Sequence, residues 1–132
     1  MDRKYIERYQ SFCASLKSLS EAESRDLSDD FVLSGTVQKF SLTFDISWKV
    51  MKDIIVKYHK INDFATGSPR ETLRIAASVK LIGDDRWMNM LGDRNELTHD
   101  YDGTMAKEKV HMIVEEYIPL FEQFREIAEK FC

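Results

Sequence analysis

The run VQKFSLTFDISWKVMKDIIVKY, from Val37 to Tyr58, decides the fold. Val37, Phe40, Phe44, Trp48, Met51, Ile55 and Tyr58 recur at steps of three and four, the spacing that gathers side chains on one face of an α-helix. Leu42, Ile46, Val50 and Ile54 make a second stripe on the same segment. A helix apolar on two faces packs against neighbours on both sides or against a second copy of the chain, so this segment is expected to be the core helix with a dimer face.

Outward from it, the same period recurs and strand-like alternation does not. Tyr5, Tyr9, Phe12, Leu16 and Leu19 form the stripe of a first helix. Ser20 to about Asp30 is rich in Ser, Asp and Glu and reads as an exposed connection, with a short helical turn at Phe31 to Leu33. Gly35 and Thr36 are expected to open the central helix. Ser68-Pro69-Arg70-Glu71 is a start signal for a third, with serine at the N-cap, proline at the first helical position and glutamate closing a capping box. Leu73, Ala76, Ala77, Val79 and Leu81 carry its buried side. Ile82-Gly83-Asp84 is expected to end it, with Gly83 as a left-handed cap and Asp84 as the next N-cap. A fourth, short helix spans Asp85 to about Thr98 with Trp87, Met88, Met90, Leu91 and Leu97, and Asp102-Gly103-Thr104 is a turn. The last helix carries Val110, Val114, Tyr117, Phe121, Phe124, Ala128 and Phe131. Pro119 inside it cannot donate to the Glu115 carbonyl, which predicts a kink. The fold class is all-α: an antiparallel up-and-down four-helix bundle with one short extra helix, a single domain over 1–132.

The chain has 132 residues and a formal net charge of −4, which argues against indiscriminate binding to nucleic acid or anionic membrane but not against a local cationic site. No segment is long and apolar enough to span a bilayer. Met1-Asp2-Arg3-Lys4-Tyr5 leads straight into an amphipathic pattern without the apolar run of a signal peptide, so a cytoplasmic location is expected. Cys13, on an apolar face, reads as a small buried hydrophobe and Cys132 as an exposed terminal thiol. Neither has metal-ligand spacing, and their usage fits a reducing compartment.

The chemistry concentrates in Asp93-Arg94-Asn95-Glu96-Leu97-Thr98-His99-Asp100-Tyr101-Asp102. It sets a permanent cation beside an imidazole, the side chain whose charge changes near neutrality, a combination suited to phosphate esters. On a continuous helix Arg94 and His99 would diverge by about 140°; they converge only if the helix ends near Thr98 or a second subunit supplies one of them. Gly92 costs about 1 kcal/mol relative to alanine in a helix, which implies a close approach to its backbone by a packing neighbour or a ligand. The bland alternative is an ion-pair cluster capping a helix end. A metal site built from His99, Asp93, Asp100 and Asp102 is the weaker reading, lacking paired-histidine spacing, and no cofactor is implied. His59 and His111 fall on polar helix faces, and Lys49, Lys52, Lys57, Arg70 and Arg74 read as solvated charges.

Phe40-x-x-x-Phe44 with Trp48-Lys49, then Ser68-Pro69-Arg70-Glu71, then Trp87-x-x-Met90-Leu91-x-Asp93-Arg94-Asn95, then His99-x-Tyr101-Asp102, taken in that order, resemble the nucleotidyltransferase substrate-binding family, a branch of the HEPN superfamily. Asp45 stands where the resemblance leads one to expect glutamate. The resemblance implies a dimerising HEPN-like antiparallel bundle and a small nucleotidyltransferase partner encoded nearby. Related pairs behave as toxin and antitoxin, the HEPN member being a metal-independent ribonuclease silenced when its partner modifies the motif tyrosine. Carried over, Arg94 and His99 are the catalytic pair, acting on RNA. Tyr101, with Asn95 and Asp102 as polar neighbours, is the modification or substrate-binding group. The competing reading is a non-catalytic subunit that docks the nucleotidyltransferase and presents its substrate; a helical scaffold without ligand is the third.

Overall fold

The central helix starts earlier than Gly35. In the computed structural model, which describes residues 2–83 and 85–132, Asp29 is its N-cap: the carboxylate accepts from the Phe31 and Val32 amides at 2.9 and 3.1 Å. A carboxylate that satisfies two otherwise orphaned amides stabilises a helix start by about 1 kcal/mol, so the helix begins at the aspartate and carries Gly35 inside it. The helices are α1 (Arg3–Ser20), α2 (Asp30–Lys57), α3 (Pro69–Ser78), α4 (Arg86–Leu97), α5 (Thr104–Met112) and α6 (Ile118–Glu129). A 3-10 turn (Glu21–Ser24) lies in the first connection, where the sequence suggests only an exposed link, and a π-helical turn (Ile113–Tyr117) joins α5 to α6. No strand occurs among the described residues, and the class is all-α, as expected.

Cross-links between helices give the topology. Along α1 and α2 the pairs Arg8–Asp53, Ser15–Thr43 and Ser18–Lys39 close in on each other in sequence, so the two helices run antiparallel. Trp87 meets Phe121 and Phe124 while Asp93 meets Tyr117, which sets α4 antiparallel to the α5–α6 rod. Phe40 with Tyr117 and Tyr58 with Phe131 set that rod parallel to α2. This is the up-and-down bundle, with α3 as the short extra helix.

Both faces of α2 are buried only in its C-terminal half. Phe40, Phe44, Met51, Ile54 and Ile55 are at 0% exposure and Val50 at 1%, while Leu42 of the second stripe is 55% exposed and Ile46 half-buried. Each fully buried side chain of this size contributes about 1.5–3 kcal/mol. The face left open runs from Phe31 through Leu42.

Three local expectations are corrected by competing partners. Ser68 Oγ caps α3 by accepting from the Glu71 amide at 3.2 Å, but the Glu71 carboxylate turns outward to Arg74 at 2.7 and 3.0 Å, leaving the capping box half made. Helix α3 ends at Ser78 with Lys80 in the left-handed region (φ +64°), not with Gly83. The Lys80 and Leu81 amides close the end on Ala77 and Ala76, while Ala77 itself is exposed and Thr72 is buried beside Leu73. Asp84, expected as the next N-cap, lies outside the described residues. The disturbance at Pro119 takes the form of the π turn: the Ile118 amide donates to the Ile113 carbonyl, five residues back. A π turn is a known way of absorbing a break in the helical ladder. Tyr117, its last residue, is 1% exposed and stacks on Phe40 with ring centroids 5.6 Å apart.

Candidate functional site at the end of α4

Helix α4 turns Trp87, Met90, Leu91 and Leu97 into the core, and Asp93 with them. A buried carboxylate must be paired. Tyr117 Oη donates to Asp93 Oδ2, and Lys109 Nζ lies 3.2 Å from Oδ1. Burial, reinforced by the hydrogen bond to Asp93, pushes the Tyr117 phenol well above its ordinary range. This network locks α4 to the π turn and fixes the orientation in which α4 presents the residues after Asp93.

Arg94 leaves α4 on the side facing α2. Its Nη2 donates to both oxygens of Asp45, at 2.6 and 2.7 Å, and Nη1 donates to Asn95 Oδ1 at 3.1 Å. The Arg94 side chain is 24% exposed and that of Asp45 33%. Helix α4 stops at Leu97, and the Thr98 and His99 amides close the end on the Arg94 and Glu96 carbonyls. Termination therefore falls where convergence of Arg94 and His99 requires it. Within one chain the two still do not meet. His99 is exposed and its ring approaches Tyr101, with centroids 6.5 Å apart, while Arg94 faces Asp45. Tyr101 is 90% exposed. The sequence-expected residues thus fall into two groups, Arg94–Asn95 with Asp45 in the last turn of α4 and His99–Tyr101 beyond its end.

The aspartates that follow are taken up by backbone. Asp100 accepts from the Met105 and Ala106 amides at 3.0 and 2.7 Å, and Asp102 from the Thr104 amide at 3.0 Å. The Thr104 amide holds the Asp102 carboxyl below the usual range. With Gly103 in the left-handed region (φ +77°), these contacts start α5. The set Asp93, His99, Asp100 and Asp102 is dispersed among these partners, and no group of three or more metal-ligating side chains is found among the described residues.

Of the two neighbours expected against Gly92, the packing neighbour is absent from the described residues. A Cβ placed there would meet nothing within 4 Å, so no neighbour inside the chain requires the glycine. Gly92 lines a cleft of about 410 Å³ between α4 and the end of α5 with the π turn, whose walls include Met88, Glu96, Lys109 and Met112. His59 lies just beyond α2 against Phe131, with Nε2 buried, rather than on a polar helix face. Cys13 and Cys132 are both half-buried, and burial pushes the Cys132 thiol up.

Sequence reasoning passed over Asp45 as a partner for Arg94 and Lys109 and Tyr117 as partners for Asp93. A signal exists for the first: Asp45 is the one carboxylate between Val37 and Trp48 in an otherwise neutral or basic run.

These features define an all-α bundle with a polar Arg-x-x-x-x-His-x-Tyr motif spilling from the end of its fourth helix. A family model described as nucleotidyltransferase substrate binding protein like matches residues 4–130, and the chain belongs to that family. A search of curated proteins gives no match. The family's description implies a nucleotidyltransferase as partner, and no helix among the described residues is long and apolar enough to cross a membrane.

Proposed function

We propose that the chain is the HEPN-type component of a two-protein nucleotidyltransferase system, a toxin that cleaves RNA without a metal and is silenced by its partner. The observation that carries this is Tyr101, 90% exposed beside the exposed His99. A partner enzyme can reach the phenol without unfolding anything, and a substituent on it would lie in the neighbourhood of the imidazole, whose ring centroid is 6.5 Å from that of Tyr101. In RNA cleavage, the 2′-hydroxyl attacks the adjacent phosphorus, the P–O bond to the 5′-oxygen breaks, and a proton moves from the first oxygen to the second. His99 carries the proton, and Arg94, released from Asp45, neutralises the phosphoryl oxygens with its planar donor fork. In silencing, the Tyr101 oxygen attacks the α-phosphorus of a nucleoside triphosphate, pyrophosphate leaves and the phenolic proton goes to solvent.

One chain supplies one histidine, and its arginine faces an internal carboxylate. The cleavage reading therefore requires a homodimer in which two copies of the motif share a cleft. A second reading, the non-catalytic subunit that docks the nucleotidyltransferase and presents its substrate, is favoured by the Arg94–Asp45 pair, since an arginine already bound to a carboxylate by two short contacts serves a structural end. Growth after induced expression of the chain alone, wild type against His99→Ala at equal protein level, separates the two. The toxin reading expects arrest by wild type and none by His99→Ala. Arrest by both refutes His99 catalysis, and growth with both leaves the binding subunit.

A further inference from the structure

One helix face is left without a partner inside the chain. Along α2, Phe31, Gly35, Gln38, Leu42, Ile46 and Lys49 follow steps of three and four and so share one side of the helix. Phe31 is 90% and Leu42 55% exposed, Gln38 and Lys49 are exposed, and Gly35 and Ile46 are half-buried. At about 1.5 Å of rise per residue the stripe is about 27 Å long. Single exposed apolar residues are ordinary on a protein surface, but these stand in line on the helix that forms the core.

The face is complementary to itself. Exposed Asp30 lies at its N-terminal end and exposed Lys49 at its C-terminal end. The other charges nearby are occupied: Asp29 caps α2, and Lys39 turns away to Ser18 Oγ at 2.5 Å. Lys49 keeps its Nζ 5.8 Å from the ring centre of Trp48 and remains open to solvent. Opposite charges at the two ends match when a second α2 lies against the first in the reverse direction. A two-fold axis level with Phe40 sets Lys49 of each copy against Asp30 and the Phe31 ring of the other. The same axis brings the two Leu42 side chains together and sets Ile46 of each copy opposite Gly35. A Cβ added at Gly35 would meet nothing within 4 Å, and this glycine lines a groove of about 270 Å³ with Phe31 and Lys39, so there is room for the isoleucine. That also supplies a reason for a glycine inside a helix, where it is destabilising.

Such an axis keeps the same flank of both helices on the same side of the seam. Asp45, 33% exposed, borders the stripe on the flank facing α4, where it holds Arg94. Two Arg94–Asp45 pairs then open on one side of the assembly.

We infer that this face of α2 pairs with the same face of a second copy, antiparallel, and that the pairing gathers both Arg94–Asp45 pairs along one groove. The pairing stands on exposure and charge; that RNA is cut in the groove rests on the ribonuclease reading above.

Sedimentation of the full chain tests the pairing. Wild type is expected at twice its chain mass of 15.5 kDa. Leu42→Glu is expected to weaken the dimer at least about a hundredfold, because it sets two carboxylates into an apolar seam. Lys49→Glu makes both end contacts repulsive and should weaken it about tenfold, and adding Asp30→Lys should restore it. Met112→Glu, at an exposed apolar position on α5, should leave it unchanged. All the substituted side chains are exposed, and circular dichroism checks that the helices persist. A wild type that stays monomeric, or that associates only with a nucleotidyltransferase bound, overturns the proposal. So does a dimer indifferent to Leu42→Glu, and failure of the double reversal to rescue overturns the antiparallel register. Growth assays keep the two readings apart. A wild-type dimer that leaves growth untouched upholds the pairing and counts against the ribonuclease reading alone, whereas arrest by a monomeric Leu42→Glu chain overturns the shared groove.

Discussion

Helix α2 carries two aspartates that each hold an arginine from another helix, and the two pairs differ in what surrounds them. Asp53 is sealed, with 3% of its side chain exposed, and Arg8 reaches it at 2.7 Å. Asp45, two helical turns earlier, is 33% exposed and holds Arg94 at 2.6 Å. The distances are nearly equal, so geometry alone does not rank the pairs. Burial does. At Asp53 desolvation outweighs the attraction of Arg8 and holds the carboxyl above the usual range, while Oδ2 has no hydrogen-bond partner among the described residues. A pair in that setting is structural, because removing one partner strands a charge away from water. Arg94 is as covered as Arg8, at 24% against 23%, but water reaches the Asp45 carboxylate, so withdrawing Arg94 strands no sealed charge. One pair fastens the bundle, and the other can serve as a latch on the motif.

The largest break in this contrast should come from Arg8→Ala, expected to cost about 3 kcal/mol by leaving Asp53 buried and uncompensated. Urea denaturation followed by circular dichroism reads it, and a loss no larger than that of Arg94→Ala would erase the distinction. Tyr117→Phe should come next, at about 1–3 kcal/mol, because Asp93 loses its buried donor and keeps only Lys109; a neutral result would mean that water reaches Asp93. Asp45→Asn should cost about 1 kcal/mol in the same assay, less than loss of the sealed partner at Asp53, because the Asp45 side chain is a third exposed. It frees Arg94, so in a growth assay it is expected to be at least as toxic as wild type under the ribonuclease reading.

The smallest effect is a pH dependence. Because the folded-state carboxyl of Asp53 titrates above its unfolded value, its contribution to stability is fully present below the ordinary aspartate range, near 3.9, and is lost as pH rises through the folded value. Wild type should therefore gain stability relative to Asp53→Asn as pH falls from neutrality toward about 4. Urea midpoints of the two proteins that stay parallel across that window would show that Arg8 fully compensates the burial.

Periodicity carried most of the architecture because it is a local property. The three-four stripes of α1, α2 and the α5–α6 rod were readable, and Ser68 capped α3 as its position required, since serine and its target amide lie three residues apart. Helix ends were less readable where two local signals compete: Asp29 won over Gly35, and Lys80 took the left-handed position expected of Gly83. Gly92 implied a close neighbour, and the chain itself supplies none.

From its sequence alone, the chain is legible as an all-α bundle with Arg94 in the last turn of a short helix and His99 and Tyr101 beyond its end, and in order these features were enough for the family. Only the tertiary structure decided what those residues touch. Arg94 meets a carboxylate 49 positions away, Asp93 meets Tyr117 at the π turn, and Arg25 and Lys107 line one cleft from segments far apart in the chain. The reason is physical: helical propensity, capping and amphipathicity act over a few residues. The partner of a charge is chosen by packing, which brings distant segments together and sets how much water remains between them.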